Sequence, residues 1–299
     1  MSDTIASLGR QISGAGDLQS VVRTMKAVAA SSIGQYEKSV RALSDYHRTV
    51  ELGLGACFRE KGNLSLRAEG TPAKAKDAHA ISAVVFGSDQ GLVGQFNDVV
   101  ATFAVRTFSA LSVKPEIWTV GERVHDYLAD SGMQLVGQFA VPNTVEAITP
   151  FVGKILMEAG ERHSLDEGAE LYLFYNRPAS GSLYTQVSQR LLPLDEKWRD
   201  NLAERPWPSG NLPEVIGDSI TTLQKLISEY LFVSIFRACA ESLASENASR
   251  LAAMQRADNN ISELLEELNR TFHHLRQSNI DEELFDVISG FEALNGEAN

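Results

Sequence analysis

Ile261-Ser-Glu-Leu-Leu-Glu-Glu-Leu-Asn-Arg-Thr-Phe-His-His-Leu275 places Ile261, Leu265, Leu268, Phe272 and Leu275 at steps of 4, 3, 4 and 3. That rhythm is the a/d spacing of a heptad seam, in which one apolar stripe of a helix faces a partner helix. Leu284, Val287, Phe291 and Leu294 resume it towards the end, and Leu226, Tyr230 and Val233 open it upstream. Between them the seam thins to Ala240, Leu243, Asn247, Leu251 and Met254. Nothing strong interrupts the run. All nine prolines lie between Pro72 and Pro213, and proline inside a helix costs about 3 kcal/mol. A helix from Ile216 to Leu294 is on the order of 120 Å long at 1.5 Å per residue. A single domain does not bury a helix of that length, so the reading is a shaft.

The other end of the chain supplies a partner stripe. Val21, Val22, Met25, Val28 and Ala29, then Ile33, Tyr36, Val40 and Leu43, recur at helical spacing between Asp17 and Leu54. An antiparallel pair made from the two chain ends buries both stripes.

The middle alternates strands with helices. Ala80 to Phe86 is a short apolar run that ends in Gly87, as a buried strand does. A helix is expected over Asn97–Leu111, a strand over Glu116–Gly121 and a helix opening near Glu122. Another helix follows over Val145–His163, then strands over Glu170–Asn176 and Leu183–Leu192. This order favours a largely parallel sheet with right-handed crossovers. Pro193 to Pro213, with Pro208-Ser-Gly210, reads as a linker. The fold class expected is α/β plus long coiled coil, with antiparallel N- and C-terminal helices around a central Rossmann-like α/β domain. The N-terminal helix occupies 1–57, the α/β domain 78–192, the linker 193–215 and the C-terminal helix 216–294.

Composition sets limits on function. The 299 residues are 43% hydrophobic and 22% charged, enough for a real core, without an apolar run of membrane-spanning length or a signal peptide. Cys57 and Cys239 have no metal or redox spacing, so two reduced packing residues are expected. The net charge of −12 is concentrated at the C-terminal end. Glu214–Asn299 carries 6 Lys+Arg against 15 Asp+Glu, whereas the first 57 residues carry 6 against 5. Phosphate backbones demand basic patches, so no nucleic-acid partner is expected.

Catalytic patterns are weak. Gly87-Ser-Asp-Gln-Gly-Leu-Val-Gly94 joins a strand to a helix, the right context for phosphate binding, but it lacks the Gly-Lys-Ser/Thr and G-x-G-x-x-G patterns. His273 and His274 point roughly 100° apart on a helix and cannot share a metal. Glu266-Glu267 and Asp281-Glu282-Glu283 read as solvated faces. No catalytic residue, cofactor or metal is expected.

Three blocks carry a family resemblance. Arg23-Thr-Met-Lys-Ala-Val-Ala-Ala30 resembles the K-A-M-K-M-V-A-A segment of the gamma subunit of F-type ATP synthases. Ser88-Asp-Gln-Gly-Leu-Val-Gly-Gln-Phe-Asn97 resembles that family's S-D-R-G-L-C-G-G-F-N loop. Ala244-Ser-Glu-Asn-Ala-Ser-Arg-Leu-Ala-Ala-Met254, Asn259-Asn260, Leu275-Arg-Gln-Ser-Asn-Ile280 and Glu283-Leu-Phe-Asp-Val-Ile-Ser-Gly290 together resemble its C-terminal pattern.

The resemblance implies a non-catalytic rotor shaft, one copy per complex, inside a ring of three alpha and three beta subunits. Epsilon and the membrane c-ring are the other implied partners, at the cytoplasmic face of a bacterial inner membrane, without insertion into it. It couples ion flow to ATP synthesis or hydrolysis on the beta subunits. It also implies residue roles. Arg276 and Gln277 contact a beta loop, with Asp281 beside them. Met25, Lys26 and Arg250 lie at a collar facing an acidic beta loop, and Phe291 and Leu294 sit in an apolar bearing. Several residues depart from the family pattern: Gln90 for Arg, Val93 for Cys, Gln95 for Gly and Asp281 for Thr. They point to a divergent branch, such as the alternate N-type ATPases. The alternatives are a free-standing coiled-coil scaffold with an α/β domain, and a nucleotide-dependent enzyme built on the middle domain.

Overall fold

The computed structural model describes residues 4–60, 81–109, 114–162, 170–194, 196–211 and 213–296. Its elements are α1 (Ile5–Glu60), β1 (Ile81–Phe86), α2 (Phe96–Phe108), β2 (Glu116–Val120), α3 (Glu122–Asp130) and β3 (Leu135–Phe139). They continue with α4 (Val145–Arg162), β4 (Glu170–Ala179), β5 (Ser182–Leu192), α5 (Glu196–Glu204) and α6 (Ser219–Gly296). The chain divides into two units. One holds Met1–Val28 with Leu251–Asn299, the other Ala29–Arg250.

The larger unit is built on a mixed sheet in the order β3-β2-β1-β4-β5. The first four strands run parallel, and β5 returns antiparallel to β4 through a tight turn with Gly181 at φ 89°. A left-handed backbone of that kind suits glycine. Side chains alternate across the sheet. Val84, Phe86, Trp118, Val120, Leu173 and Tyr175 pack on one face with α4 and with Ile235, Phe236, Cys239 and Leu243 of α6. Ala83, Val85, Ile117 and Phe174 pack on the other face with Val100, Ala104 and Phe108 of α2 and Val124 and Leu128 of α3. All six residues of β1 are buried, which is why its sequence is apolar without alternation. Each fully buried Phe or Leu contributes about 1.5–3 kcal/mol.

Two elements depart from the sequence reading. Leu135–Phe139 adds a fifth strand at the sheet edge. Glu196–Glu204, within the stretch read as linker, is a helix that drives Leu202 into a cluster with Val50 and Leu54 of α1 and Leu223 and Tyr230 of α6. Ala80, Ala110, Leu111 and His163, at the ends of three expected elements, lie outside the described residues.

Helices α1 and α6 run antiparallel within the larger unit. The His47 and Tyr230 rings meet at 5.6 Å, tilted by 40°, Tyr46 Oη donates to Glu229 Oε2 at 2.9 Å, and Gly53 faces Leu226. The start of α6 is set by Asp218, whose carboxylate accepts from the backbone N–H of Thr221 at 2.9 Å.

The smaller unit is also an antiparallel helix pair. Gln19 Nε2 donates to Ser262 Oγ, Arg23 reaches Asp258 and Lys26 reaches Gln255, so one number rises as the other falls. Val22, Met254 and Ile261 are buried there, with Met25, Ala257 and Leu265 packed against them. Leu268, Phe272 and Leu275 continue the half-buried seam. The rhythm at Leu284 and Val287 is not buried within the chain; these side chains are 57% and 70% exposed.

Candidate functional site

In a doubly wound sheet, a ligand crevice is expected at the C-terminal ends of the strands where the strand order reverses. Here that place lies beyond β1 and β4, where the Gly87–Gly94 loop begins. The chain's own groups fill it. Asn97 Oδ1 accepts from the Ser88 N–H at 2.9 Å, and its Nδ2 donates to Ser88 Oγ at 2.9 Å. Asn176 Nδ2 donates to the Phe96 carbonyl at 2.9 Å. From α6, Ser245 Oγ donates to the Asn176 carbonyl at 3.0 Å and Ser249 Oγ to the Val93 carbonyl at 2.5 Å. Asp89 spends both carboxylate oxygens on the backbone N–H groups of Glu122 and Val141. The loop that resembles a phosphate cradle is thus an anchor for α6. Its approach to β2 is so close that a Cβ on Gly121, at φ 105°, would lie 2.7 Å from the Ser88 backbone.

Ala244, Ser245, Glu246, Asn247 and Ser249, from the first part of the third sequence block, are buried at this joint. Glu246 and Arg250 pair at 2.6 Å with side chains 7% and 14% exposed. Burial pushes the Glu246 carboxyl above its ordinary value, and the Arg250 guanidinium opposes that rise without reversing it. Tyr36, from α1, is pushed up to about 12 by burial and by the Glu246 charge; its hydroxyl donates to the Asn143 carbonyl at 3.3 Å.

In the smaller unit Met25 is half-buried in the helix seam. Lys26 Nζ lies 2.9 Å from Asp258 Oδ2 and 3.1 Å from Gln255 Oε1, and Arg23 Nε lies 3.2 Å from Asp258 Oδ1. One carboxylate therefore holds two cations of the opposing helix. The hydrogen bond from Lys26, with that from Arg23, holds the Asp258 carboxyl below its ordinary value. Asp258 was missed in the sequence, which has no signal for the register between two helices, and Glu246 was singled out only as part of a motif, not for its burial.

Arg276, Gln277 and Asp281 are exposed on α6. From Arg276 to Gly290 every residue is exposed, including Ile280, Leu284, Phe285, Val287 and Ile288. Phe291 and Leu294 lie within α6, but their side chains are outside the described residues. Among the described residues no group of three or more His, Cys, Asp and Glu is placed to hold a metal ion, and no helix is long and apolar enough to cross a membrane.

The architecture defines a class: two long antiparallel helices joined to a five-stranded α/β sheet whose ligand crevice is closed by one of those helices. The family model for ATP synthase matches residues 4–294. The ATP synthase gamma chain of Rhizobium etli is 28% identical over 302 residues, covering 97% of this chain and 99% of that relative. That of Syntrophus aciditrophicus is 31% identical over 233 residues, covering 74% and 75%. The fold matches the rotor of the Euglena gracilis mitochondrial ATP synthase with a TM-score of 0.61 at 16% identity, covering 92% of this chain and 98% of that one. The chain belongs to the ATP synthase gamma-chain family. Its role is that of a central-stalk subunit.

Proposed function

We propose that the chain is a non-catalytic rotor, one copy within a ring of three alpha and three beta subunits. Epsilon and a membrane c-ring bind it at the other end, and it works peripherally at the cytoplasmic face of a bacterial membrane. The observation that carries this reading is the end of α6. Phe285 and Val287 are 71% and 70% exposed, with Ile280, Leu284 and Ile288 beside them. A continuous apolar face of that kind is normal only where another surface covers it. The polar groups of Arg276, Gln277 and Asp281 stand next to it, free to make and break hydrogen bonds with a surrounding ring.

The mechanism follows from asymmetry. Each side of a helix pair presents different side chains, so three chemically identical beta subunits meet three different surfaces. A shaft shifts their conformational equilibria only through differences in contact energy between states, and rotation carries those differences from site to site. The chemistry stays on the beta subunits. The closed crevice at Ser88 and Asn176 supports that division of labour, and the family match along 4–294 weighs against a free-standing scaffold.

The test is co-expression with alpha and beta subunits from the same genome, then native mass and ATPase rate. One copy per three alpha and three beta, with activity lost when the chain is omitted, is the expected result. A chain that purifies alone and never joins the ring overturns the reading.

A further inference from the structure

Glu241 of α6 is buried and accepts from two guanidinium groups. Arg177 Nε, at the end of β4, reaches its Oε2 at 2.7 Å, and Arg237 Nε, one turn earlier on α6, reaches its Oε1 at 2.8 Å. Two cations on one carboxylate leave the triad with a charge of about +1. Both arginines remain partly open, with side chains 38% and 37% exposed, and both line a groove of about 510 Å³ walled by α1, β5 and α6.

The groove is rich in donors. Among the described residues Arg237 bonds through Nε alone, so both of its terminal NH2 groups remain available. Arg177 also donates through Nη2 to the Tyr175 hydroxyl, which leaves Nη1. Gln189, Ser234 and Tyr230 add neutral polar groups to the lining. The acidic group on the lining is Glu51, and it is already neutralised: Arg205 Nη1 lies 2.6 Å from its Oε2 and His47 Nδ1 3.5 Å. Burial pushes the Glu51 carboxyl up, but the bonds from His47 and Arg205 outweigh it and hold the group below its ordinary value. In a chain of net charge −12, a local excess of cation with hydrogen-bonding walls is a place that draws anions.

We propose that this groove between α1, β5 and α6 binds a small multiply charged oxyanion of the phosphate class, with Arg177 and Arg237 as its ligands. Guanidinium groups offer paired N–H donors that match the geometry of phosphate oxygens. The volume admits inorganic phosphate or pyrophosphate with water to spare. Binding is a property of the folded chain itself and does not depend on assembly with any partner, so its outcome is separate from that of the rotor reading.

The test uses the full chain, titrated with inorganic phosphate at constant ionic strength against chloride. Calorimetry gives the affinity, and ¹⁵N signals of the arginine Nε–H groups show the place. The expected result is saturable binding that shifts the Arg177 and Arg237 signals. Gln189→Glu, which adds a negative charge to the lining and leaves the triad intact, should weaken binding by about tenfold or more. Gln189→Asp, with the same charge on a shorter side chain, gives a second measure should Gln189→Glu fail to fold. Absence of saturable binding, equal affinity in the folded charge variants, or shifts that leave the two arginines unmoved would each overturn the proposal.

Discussion

Glu246 and Arg250 stand one turn apart on α6 and pair at 2.6 Å where the helix meets the Ser88–Asn97 loop, with hardly any solvent around either group. The order, acid before base at i and i+4, is the favourable one on a helix. Burial nevertheless makes the pair costly. Glu246 Oε2 and Arg250 Nε have no hydrogen-bond partner among the described residues, so the attraction offsets desolvation without exceeding it.

Removing one member should therefore do more harm than neutralising the other. Arg250→Ala leaves a buried carboxylate alone and is expected to cost about 3–5 kcal/mol in urea unfolding. Glu246→Gln keeps an acceptor for Arg250 and should cost much less. The pH dependence has a definite sign. The folded pKa of Glu246 is raised, so the native state holds its proton longer than the unfolded chain does. Wild-type stability relative to Glu246→Gln should fall as pH rises from the ordinary glutamate range up through the folded value. A difference that stays flat with pH would show that the carboxylate is not desolvated.

Asp258 behaves in the opposite sense. Its folded pKa is lowered by Lys26 and Arg23, so its stabilisation is present above the ordinary aspartate value and is lost as pH falls through the folded value. Asp258→Asn should speed amide hydrogen exchange near Arg23 and Lys26 at neutral pH, and the gap from wild type should close in acid. Unchanged exchange at neutral pH would mean the two contacts at 2.9 and 3.2 Å do not hold the helices in register.

Gly121 gives a prediction about backbone rather than charge. Its φ of 105° and its approach to Ser88 leave no room for a side chain. Gly121→Ala should destabilise by more than about 1 kcal/mol, through the strained conformation and the clash together. Gly153→Ala is the control, since a Cβ there meets nothing within 4 Å. Equal midpoints in urea for the two variants would refute the argument.

The parts of this fold that were legible in sequence are those with a long or unbroken signal. The seam from Ile261 to Leu275 is the less exposed side of α6, and the run Ile81–Phe86 is buried throughout, because a sustained period or a nearly continuous apolar strand reports its surroundings directly. Leu135–Phe139 gave no such signal. It is a half-buried edge strand with Gly137 packed against Trp118 and a register shift opposite Ile117 and Trp118. The helix α5 buries little beyond Trp198 and Leu202, a single i, i+4 pair, too short to stand out among prolines. At the joint, the motif residues could be singled out but not their work. That Arg177 reaches Glu241, or that Lys26 meets Asp258, depends on the register between elements far apart in sequence.

The last prediction concerns the exposed end of α6. Arg276 and Gln277 are exposed, so truncating both to alanine should leave the isolated chain within about 0.5 kcal/mol of wild type. In the proposed rotor their side chains meet a beta subunit, and their value appears only when that contact differs between rotational states. Arg276→Ala with Gln277→Ala should then lower coupled ATPase activity and ion pumping in the assembled complex, or weaken assembly, while urea unfolding of the free chain stays the same. Unaltered activity, pumping and assembly would remove these two residues from the contact. A large loss of stability in the free chain would instead show that they serve the fold, against their exposure.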